Sequence, residues 1–140
     1  MRLCFFDTKP YDREFFDREN EKHGYEIIYH EEKLNPSTAV IAAGCDAACA
    51  FVNDDIGTET VKNLAQAGIK VLAMRCAGYN NIDLKEAAGK IRGLRVPAYS
   101  PYAVAEHAMG LLLTLNRRIH RAYIRTRDFN FSLNGLTGMD

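Results

Sequence analysis

The segment 75–83 has residue types that could bind a small anion through the protein backbone. Its sequence, RCAGYNNID, places the small residues Ala77 and Gly78 side by side. Small side chains let the backbone approach a ligand closely, and glycine also permits the left-handed geometry that turns successive N–H groups inward. Two such groups form a pocket for a carboxylate. The alternative is an ordinary strand-to-helix turn, stabilised by the side chains of Asn80 and Asn81.

Tyr99 is a second candidate, in the segment VPAYSP at residues 96–101. Its hydroxyl could hydrogen-bond a small acid, and its ring could form one wall of a pocket. The alternative is a partly buried aromatic ring that packs at the edge of a sheet. Pro97 and Pro101 restrict the backbone on both sides of the tyrosine, which makes this a stiff crossing suited to a domain boundary.

Two other groups of residues have side chains that can bind metal ions. The acidic run NDD at residues 53–55 could hold a divalent cation, although a solvated acidic turn before a helix is the favoured interpretation. Cys45 and Cys49 could form a pair with Asp46 as a third ligand. In an extended chain, however, the two thiols lie about 13 Å apart, which is too far to share one ion. We therefore expect no metal site and four reduced cysteines.

Composition argues against several classes of partner. Eighteen basic residues balance eighteen acidic ones, so no net charge favours nucleic acid or an anionic membrane. The longest apolar stretch, near residues 109–115, is far too short to cross a bilayer. Residues 2–7 have the pattern of a strand rather than of a signal peptide. We expect a cytoplasmic protein that binds neither nucleic acid nor membranes.

The elements that must position these residues alternate between short apolar runs and helix-like segments. At least two of the runs are continuously apolar, which indicates strands covered on both faces. The predicted fold class is α/β: a flavodoxin-like or Rossmann-like, doubly wound, parallel five-stranded sheet. The predicted strands are residues 3–6, 25–29, 47–52, 71–74 and 94–96. Ligands of such folds bind beyond the carboxyl ends of the strands, which selects the loops 7–9, 53–57, 75–81 and 97–100.

Capping residues predict where the helices between the strands begin and end. Asn35 followed by Pro36 predicts a second helix that ends before Gly44. Asp83, with Glu86 three residues later, resembles a capping box at a short fourth helix.

The C-terminal part of the chain is predicted to be dominated by one long helix. Ser100 and Pro101 begin it, and no proline interrupts it before about Arg127, so it would span about 40 Å. A helix of that length after a compact α/β segment usually links two bodies. We therefore predict a first body at residues 1–100, with the helix and the lead-in to another domain at residues 101–140.

Several separate motifs, in the same order and spacing, resemble the D-isomer-specific 2-hydroxyacid dehydrogenases. RCAGYNNID at 75–83 and VPAYSP at 96–101 are the first indications. The runs AVAEHA at 103–108 and LNRRIHRAY at 115–123 are closely similar to those of the fermentative bacterial D-lactate dehydrogenases of this family. The resemblance extends over the whole chain and includes FVNDD at 51–55.

The resemblance implies two domains of similar topology with the active site in the cleft between them. The first body would be most of the substrate, or catalytic, domain, and the long helix would lead into an NAD-binding domain and contribute to a homo-oligomer. The backbone amides of Ala77 and Gly78 would receive the carboxylate of a small 2-oxo or 2-hydroxy acid. Tyr99 would line the substrate side of the cleft, and Val104 would lie near the nicotinamide.

The resemblance also implies that the reaction needs groups outside these residues. The family's catalytic histidine, glutamate and arginine lie in the later half of its sequences, so neither His107 nor His120 is expected to be catalytic. The run GLTG at 135–138 lacks the GxGxxG spacing and the preceding strand of a dinucleotide site. We therefore expect NAD-dependent D-lactate dehydrogenase activity from the full-length protein, and neither turnover nor strong NAD binding from the 140 residues by themselves.

Two other functions are compatible with parts of the sequence. A signalling receiver domain shares the five-stranded layout, and Asp7 and Asp54 fit its acidic positions loosely. Arg75 with Cys76 replaces the hydroxyl residue that a receiver needs after its fourth strand, and Pro97 stands where it needs lysine. The other alternative is a non-enzymatic, truncated product that dimerises through an exposed apolar helix face.

Overall fold

The computed structural model describes residues 1–139, and the chain forms two compact units, Met1–Pro97 and Ala98–Asp140. In the first unit all five strands pair in parallel in the order β2-β1-β3-β4-β5. The strands are β1 (Arg2–Phe5), β2 (Glu26–Tyr29), β3 (Ala47–Ala50), β4 (Val71–Met74) and β5 (Arg92–Arg95). The predicted α/β fold with a parallel five-stranded sheet is confirmed.

Helices connect the strands of the first unit. They are α1 (Pro10–Asn20), a 3-10 helix (Ala39–Ala42), α2 (Thr58–Gln66) and α3 (Leu84–Ala87). After β1 the chain adds β2 on one side and then places β3 on the other side of β1, so the strand order reverses between β1 and β3. Such a reversal leaves a crevice at the carboxyl ends of a parallel sheet, where ligands bind in folds of this kind.

The core of the first unit surrounds the central strand β3. All four of its residues are buried, as expected for a strand covered on both faces. Because these residues are only alanine and cysteine, larger side chains from other segments, among them Phe6, Leu64 and Leu72, fill the space around the sheet. The edge strand β5 is different, since all four of its residues are exposed.

Strand boundaries differ from the predicted ones where a hydrogen bond redirects the chain. β4 coincides with the predicted residues 71–74. β3 ends at Ala50 rather than at residue 52, because the Phe51 N–H donates to the Asp54 carboxylate at 2.6 Å. β5 begins at Arg92, two residues early, and the N–H of Arg92 donates to the Lys70 carbonyl at 2.9 Å.

The predicted second α-helix is wrong. The Asn35 side-chain oxygen accepts hydrogen bonds from the N–H groups of Ser37 at 2.8 Å and Thr38 at 3.1 Å. This side-chain turn competes with the start of a helix. Only the four-residue 3-10 helix follows, and Gly44, at a left-handed φ of 83°, comes shortly after its end.

Of the capping box predicted for α3, only the half formed by the Asp83 side chain is confirmed. Asp83 Oδ1 accepts from the N–H groups of Lys85 at 3.1 Å and Glu86 at 3.0 Å, and Oδ2 accepts from the Thr58 hydroxyl at 2.5 Å. These bonds to the ionised form lower the pKa of Asp83. The Glu86 carboxylate pairs with Lys90 rather than with the cap.

The second unit contains two helices, α4 (Pro101–Asn116) and α5 (Ile119–Arg127), so the prediction of one long helix is wrong. The predicted start is right, because Ser100 Oγ accepts from the Ala103 N–H at 3.3 Å. Arg118, between the helices, has a left-handed backbone with φ 51°, which an α-helix of L-residues cannot contain.

The break between α4 and α5 is accompanied by hydrogen bonds to the tail of the chain. Arg118 Nε donates to the Thr137 carbonyl, and Asn116 Nδ2 donates to the Met139 carbonyl, both at 2.9 Å. No proline or glycine marks this break in the sequence, so local rules could not locate it. Within residues 1–139, no helix is both long and apolar enough to cross a membrane.

Candidate functional site

The candidate site lies at the carboxyl edge of the sheet, where loops follow β1, β3 and β4. The three loops are residues 6–9, 51–57 and 75–83. Backbone hydrogen bonds tie them together: the Arg75 N–H donates to the Ala50 carbonyl at 3.1 Å, and the Asp83 N–H donates to the Ile56 carbonyl at 2.9 Å. The loops therefore form one continuous surface beside the point where the strand order reverses.

Arg75, directly after β4, joins the first and third loops. Its guanidinium donates from Nη1 to the Phe6 carbonyl at 3.0 Å and from Nη2 to the Asp7 carbonyl at 2.8 Å. Its central carbon lies 4.8 Å from the ring centroid of Phe5 and 4.7 Å from that of Phe51, within cation–π range of both. The side chain is only 10% exposed. These contacts hold the start of the 75–83 loop against β1.

Two buried carboxylates surround the Arg75 guanidinium. Nη2 lies 3.8 Å from Asp7 Oδ2, and Nε lies 3.7 Å from Asp12 Oδ1. Lys9 completes the group, because its ammonium donates to Asp7 Oδ1 at 2.8 Å and its N–H donates to Asp12 Oδ2 at 2.9 Å. The hydrogen bond to Asp7 raises the pKa of Lys9. Every buried charge of this cluster therefore has a partner of opposite sign.

Asn81 fixes the other end of the 75–83 loop. Its side-chain nitrogen donates to the Phe51 carbonyl at 3.1 Å and to the Asp54 carbonyl at 2.9 Å. In the sequence, Asn81 was expected at most to stabilise a local turn, and no pattern pointed to Arg75 as a structural anchor. The available signal for Arg75 was an arginine directly after an apolar strand, because a charge at such a position must be compensated.

Ala77 and Gly78 lie between these two anchors, and the carbonyl of each accepts a hydrogen bond. The Ala77 carbonyl accepts from Arg95 Nη1 at 3.1 Å, and the Gly78 carbonyl accepts from the Cys76 thiol at 3.3 Å. The Ala77 N–H has no backbone acceptor among the described residues, whereas the Gly78 N–H meets the Cys76 sulfur, an interaction that opposes the rise in the pKa of that thiol. Ala77 is half-buried and Gly78 is exposed, so this pair of donors is not sealed inside the core.

Gly78 does not adopt the left-handed backbone geometry that glycine permits. The glycines of the described residues with positive φ are at positions 24, 44, 68, 89 and 135, and Gly78 is not among them. A Cβ atom added at Gly78 would meet Val52 Cγ2 at 3.6 Å, an ordinary van der Waals contact. The backbone at this position is therefore open to other small residues, and any binding by its N–H does not depend on a left-handed turn.

Asp54 corrects the prediction of a solvated acidic turn at residues 53–55. Its carboxylate is buried and accepts from the Leu34 N–H at 3.0 Å and the Phe51 N–H at 2.6 Å. Burial raises the pKa of Asp54, against the opposing effect of these two hydrogen bonds. Asp54 is thus a structural connector between loops. No cluster of metal-binding side chains occurs in residues 1–139.

The four cysteines are free and buried. Burial raises the pKa of both Cys4 and Cys49 to about 12, so these thiols stay protonated at neutral pH. Burial also raises the pKa of Cys76. These thiols are therefore poor nucleophiles and poor metal ligands, as expected for structural cysteines.

Tyr99 and Val104 belong to the second unit, whereas Ala77 and Gly78 belong to the first. Tyr99 is 62% exposed, and Val104, on α4, is 64% exposed. His107 and His120 are also exposed. The roles predicted for Tyr99 and Val104 remain predictions, and each side chain is free to contact a ligand or another chain.

The comparison with protein families identifies the class of protein. Residues 3–137 match the family model described as "D-isomer specific 2-hydroxyacid dehydrogenase, catalytic domain". The chain belongs to this family, which confirms the resemblance inferred from its motifs. The alternative function as a signalling receiver domain is not supported, because membership of this family explains the parallel five-stranded layout.

The curated relatives narrow the class further. The chain is 55% identical to "2-hydroxyacid dehydrogenase homolog 1" of Schizosaccharomyces pombe over 141 residues, which cover 100% of the chain and 42% of the relative. It is 52% identical to "D-lactate dehydrogenase" of Escherichia coli K12 over 141 residues, covering 99% of the chain and 42% of that protein. The chain thus spans less than half the length of these relatives.

Solved structures agree with this assignment. The apo-structure of D-lactate dehydrogenase from Escherichia coli matches with a TM-score of 0.87 and 51% identity, over 99% of this chain and 44% of the other. D-lactate dehydrogenase with NAD⁺ from Lactobacillus jensenii matches with a TM-score of 0.64 and 27% identity, over 99% of this chain and 43% of the other. The chain is therefore similar to the corresponding part of longer dehydrogenases.

Proposed function

We propose that this chain is the N-terminal, substrate-binding part of an NAD-dependent D-lactate dehydrogenase. The whole protein would transfer a hydride between NADH and C2 of pyruvate to form D-lactate. Family membership and 52% identity to the Escherichia coli D-lactate dehydrogenase support this proposal. Because the chain spans 42% of that relative, the reaction is proposed for the whole protein and carboxylate binding for this part of it.

The observation that carries the proposal is the pair of adjacent N–H donors at Ala77 and Gly78. The Ala77 N–H has no backbone acceptor in the described residues, and the Gly78 N–H meets only the Cys76 sulfur, a weak acceptor that a carboxylate can replace. Both lie on a loop that Arg75 and Asn81 anchor at its two ends. A carboxylate that accepts from two fixed N–H groups gains charge-assisted hydrogen bonds without first reorganising the loop. These donors would orient the 2-oxo acid and leave its carbonyl group for chemistry elsewhere in the protein.

The remaining roles follow the family pattern. Tyr99 would line the substrate side of the cleft, and Val104 would lie near the nicotinamide. The apolar side chains of α4 would contribute to a homo-oligomer, since large exposed apolar surfaces favour association. The protein would work in the cytoplasm, with neither nucleic acid nor membrane as a partner.

Residues 1–139 do not themselves fit an NAD site. The run GLTG at 135–138 follows α5 through a non-helical segment, so no strand before it gives the geometry of a dinucleotide loop, and its spacing is not GxGxxG. We therefore derive no step of the reaction through NAD in this part of the protein. The chain alone should show no oxidation of NADH with pyruvate, which a spectrophotometric assay at 340 nm measures directly.

Titration with oxamate, a carboxylate analogue of pyruvate, tests the carboxylate site. In ¹H–¹⁵N spectra of the labelled 140-residue chain at constant ionic strength, the Ala77 and Gly78 amides should shift most and approach saturation. Two charge-assisted hydrogen bonds without other contacts predict a dissociation constant on the order of 10 mM. Ethyl oxamate, which lacks the carboxylate, should leave both amides unchanged.

A pair of proline variants provides the matched control. Ala77→Pro removes one of the two donors and should abolish the response to oxamate, whereas Ala98→Pro removes an N–H outside the loop and should not. Unchanged resonances of Phe6 and Leu72 confirm that each variant keeps the core. If oxamate shifts other amides and leaves positions 77 and 78 unaffected, the proposed site is wrong.

A further inference from the structure

A cavity of about 390 Å³ opens within the first unit at the reversal of strand order between β1 and β3. We call it the switch-point cavity; its walls include Tyr11, Lys33, Asn53 and Arg75, which come from four separate segments. A larger cavity, about 530 Å³, lies beside Lys70 and Arg92 at the amino ends of the strands. The smaller cavity is the one at the carboxyl ends, where ligands of parallel sheets bind.

Arg75 contributes hydrogen-bond donors that the protein does not use. A guanidinium has five N–H groups, and Arg75 commits two of them to the carbonyls of Phe6 and Asp7. Its approaches to the Asp7 and Asp12 carboxylates, at 3.8 and 3.7 Å, exceed hydrogen-bond distance. A third N–H meets the Cys49 sulfur, so two N–H groups of a side chain that is nine-tenths buried have no hydrogen-bond acceptor among the described residues.

The rim of the switch-point cavity adds three further donors. Lys33, Tyr11 and Asn53 line the cavity, are exposed, and carry an ammonium, a hydroxyl and an amide that form no side-chain hydrogen bond within residues 1–139. The backbone on both sides of Lys33 is fixed, because the Glu32 carbonyl accepts from the Asp7 N–H at 2.8 Å and the Leu34 N–H donates to Asp54 at 3.0 Å. The Lys33 backbone is thus fixed beside the cavity, while its side chain is exposed.

The charges of the switch-point cavity favour an anion. Three cationic side chains, Lys9, Lys33 and Arg75, line it together with two carboxylates, Asp7 and Asp12. Both carboxylates already accept hydrogen bonds from Lys9, at 2.8 and 2.9 Å. The positive charge of Lys33 is the one without an ion pair among the described residues.

We infer that the switch-point cavity binds a phosphate group, either free or as part of a small phosphorylated metabolite. Donors from four segments can reach the oxygens of a tetrahedral anion from several sides, whereas a carboxylate offers only two oxygens in one plane. This site goes beyond the proposed dehydrogenase function and does not depend on it. Its residues differ from Ala77 and Gly78, so the oxamate titration reports on a different part of the chain.

Titration of the labelled 140-residue chain with inorganic phosphate, at constant ionic strength and pH, tests the inference. The expected result is a saturable shift centred on Tyr11, Lys33, Asn53 and the Arg75 Nε–H. Glycerol 3-phosphate distinguishes the two sources, because a phosphorylated metabolite predicts tighter binding than inorganic phosphate and a free-phosphate site predicts equal or weaker binding. Acetate should not compete; competition by acetate as strong as that by phosphate would overturn the assignment.

Two lysine variants supply the control. Lys33→Met should weaken phosphate binding about tenfold, since it removes one charged donor, while Lys62→Met, at an exposed lysine on α2, should leave it unchanged. Equal weakening in the two variants, or a non-saturating shift spread over all basic residues, would mean that phosphate acts only as a nonspecific counter-ion and would refute the site.

Discussion

The two units of this chain differ in how far their apolar side chains are buried. In Met1–Pro97, large side chains such as Phe6, Leu64 and Leu72 are buried around a parallel sheet. In the second unit, α4 carries apolar residues on most of its faces, yet no described residue from position 98 onward is buried. Apolar residues therefore build a core only where distant segments surround them, and local helix signals alone do not provide one.

Polar side chains differ between the units in the same way. In the first unit Arg75, Asp54 and Asn81 are buried or half-buried and bond to other loops. In the second unit the polar bonds are exposed, including those of Arg118 and Asn116 to the tail. The first unit should therefore respond strongly to single substitutions, and the second weakly. Three matched pairs of variants examine this difference.

The largest effect is expected from removing the Arg75 charge. Arg75→Met leaves the buried Asp7 and Asp12 carboxylates without the guanidinium and two carbonyls without donors, so it should lower the free energy of unfolding by about 4 kcal/mol. The same change at the exposed Arg121 of α5 should alter it by less than about 0.5 kcal/mol. Urea unfolding followed by circular dichroism measures both. Similar losses for the two variants would contradict the difference between the units.

The second-largest loss of stability is expected from shortening a core leucine. Leu64 of α2 is 0% exposed, and Leu64→Ala should cost about 3 kcal/mol through lost burial and the cavity that remains. Leu113 of α4 is 51% exposed, and Leu113→Ala should change stability by less than about 0.5 kcal/mol, because alanine also favours helix.

Measurements at several protein concentrations test whether the two leucines differ because a second copy of the chain covers α4. If a second copy of the chain covers α4, Leu113→Ala should lower the dimer fraction in sedimentation experiments while leaving the unfolding of the first unit unchanged. A large loss for Leu113→Ala at a concentration where the chain is monomeric would show that α4 has a core of its own.

The smallest effects concern two residues with the same unusual backbone. Asp7 has φ 50° and Arg118 has φ 51°, a conformation that glycine adopts more easily. Asp7→Gly should still destabilise by about 2 kcal/mol, because it removes the carboxylate that Lys9 and Arg75 contact. Arg118→Gly should stabilise the turn by up to about 1 kcal/mol.

Thermal unfolding followed by far-ultraviolet circular dichroism reads out this last pair. The helical signal of α4 and α5 should melt at a slightly higher temperature in Arg118→Gly, whereas Asp7→Gly should lower the transition of the first unit. Stabilisation by both variants would mean that backbone strain outweighs the buried charges at position 7, and the electrostatic account of the cluster would fail.

Much of the fold follows from signals that act over a few residues. β4 and the caps at Asp83 and Ser100 could be predicted because a short apolar run and an N-cap side chain depend on their immediate neighbours. The false helix after Asn35 and the missed break at Arg118 have the opposite cause. At Asn35 a side-chain turn takes the place of the helix start. At Arg118 the break between the two helices is accompanied by hydrogen bonds to the distant residues 137–139.

The sequence could select a candidate loop, whose role stays a prediction, but not the residues that support it. Ala77 and Gly78 could be selected because small residues after a predicted strand meet the rule for ligand sites in parallel sheets. Asp54 could not be recognised as a buried connector, since its partner Leu34 lies 20 residues away in the chain. Burial of a charge depends on which distant segments cover it, and no local pattern encodes that.

By itself the sequence determined the α/β class, the alternation of strands and helices and the motifs of the 2-hydroxyacid dehydrogenase family, because these depend on residue order and local propensity. Tertiary structure decided which polar groups became supports of the site. Arg75 reaches the Asp7 carbonyl across 68 residues of sequence, and only the pairing of β1 and β4 around β3 brings those groups together. Whether a donor such as the Ala77 N–H has a partner among the described residues depends likewise on where distant segments lie.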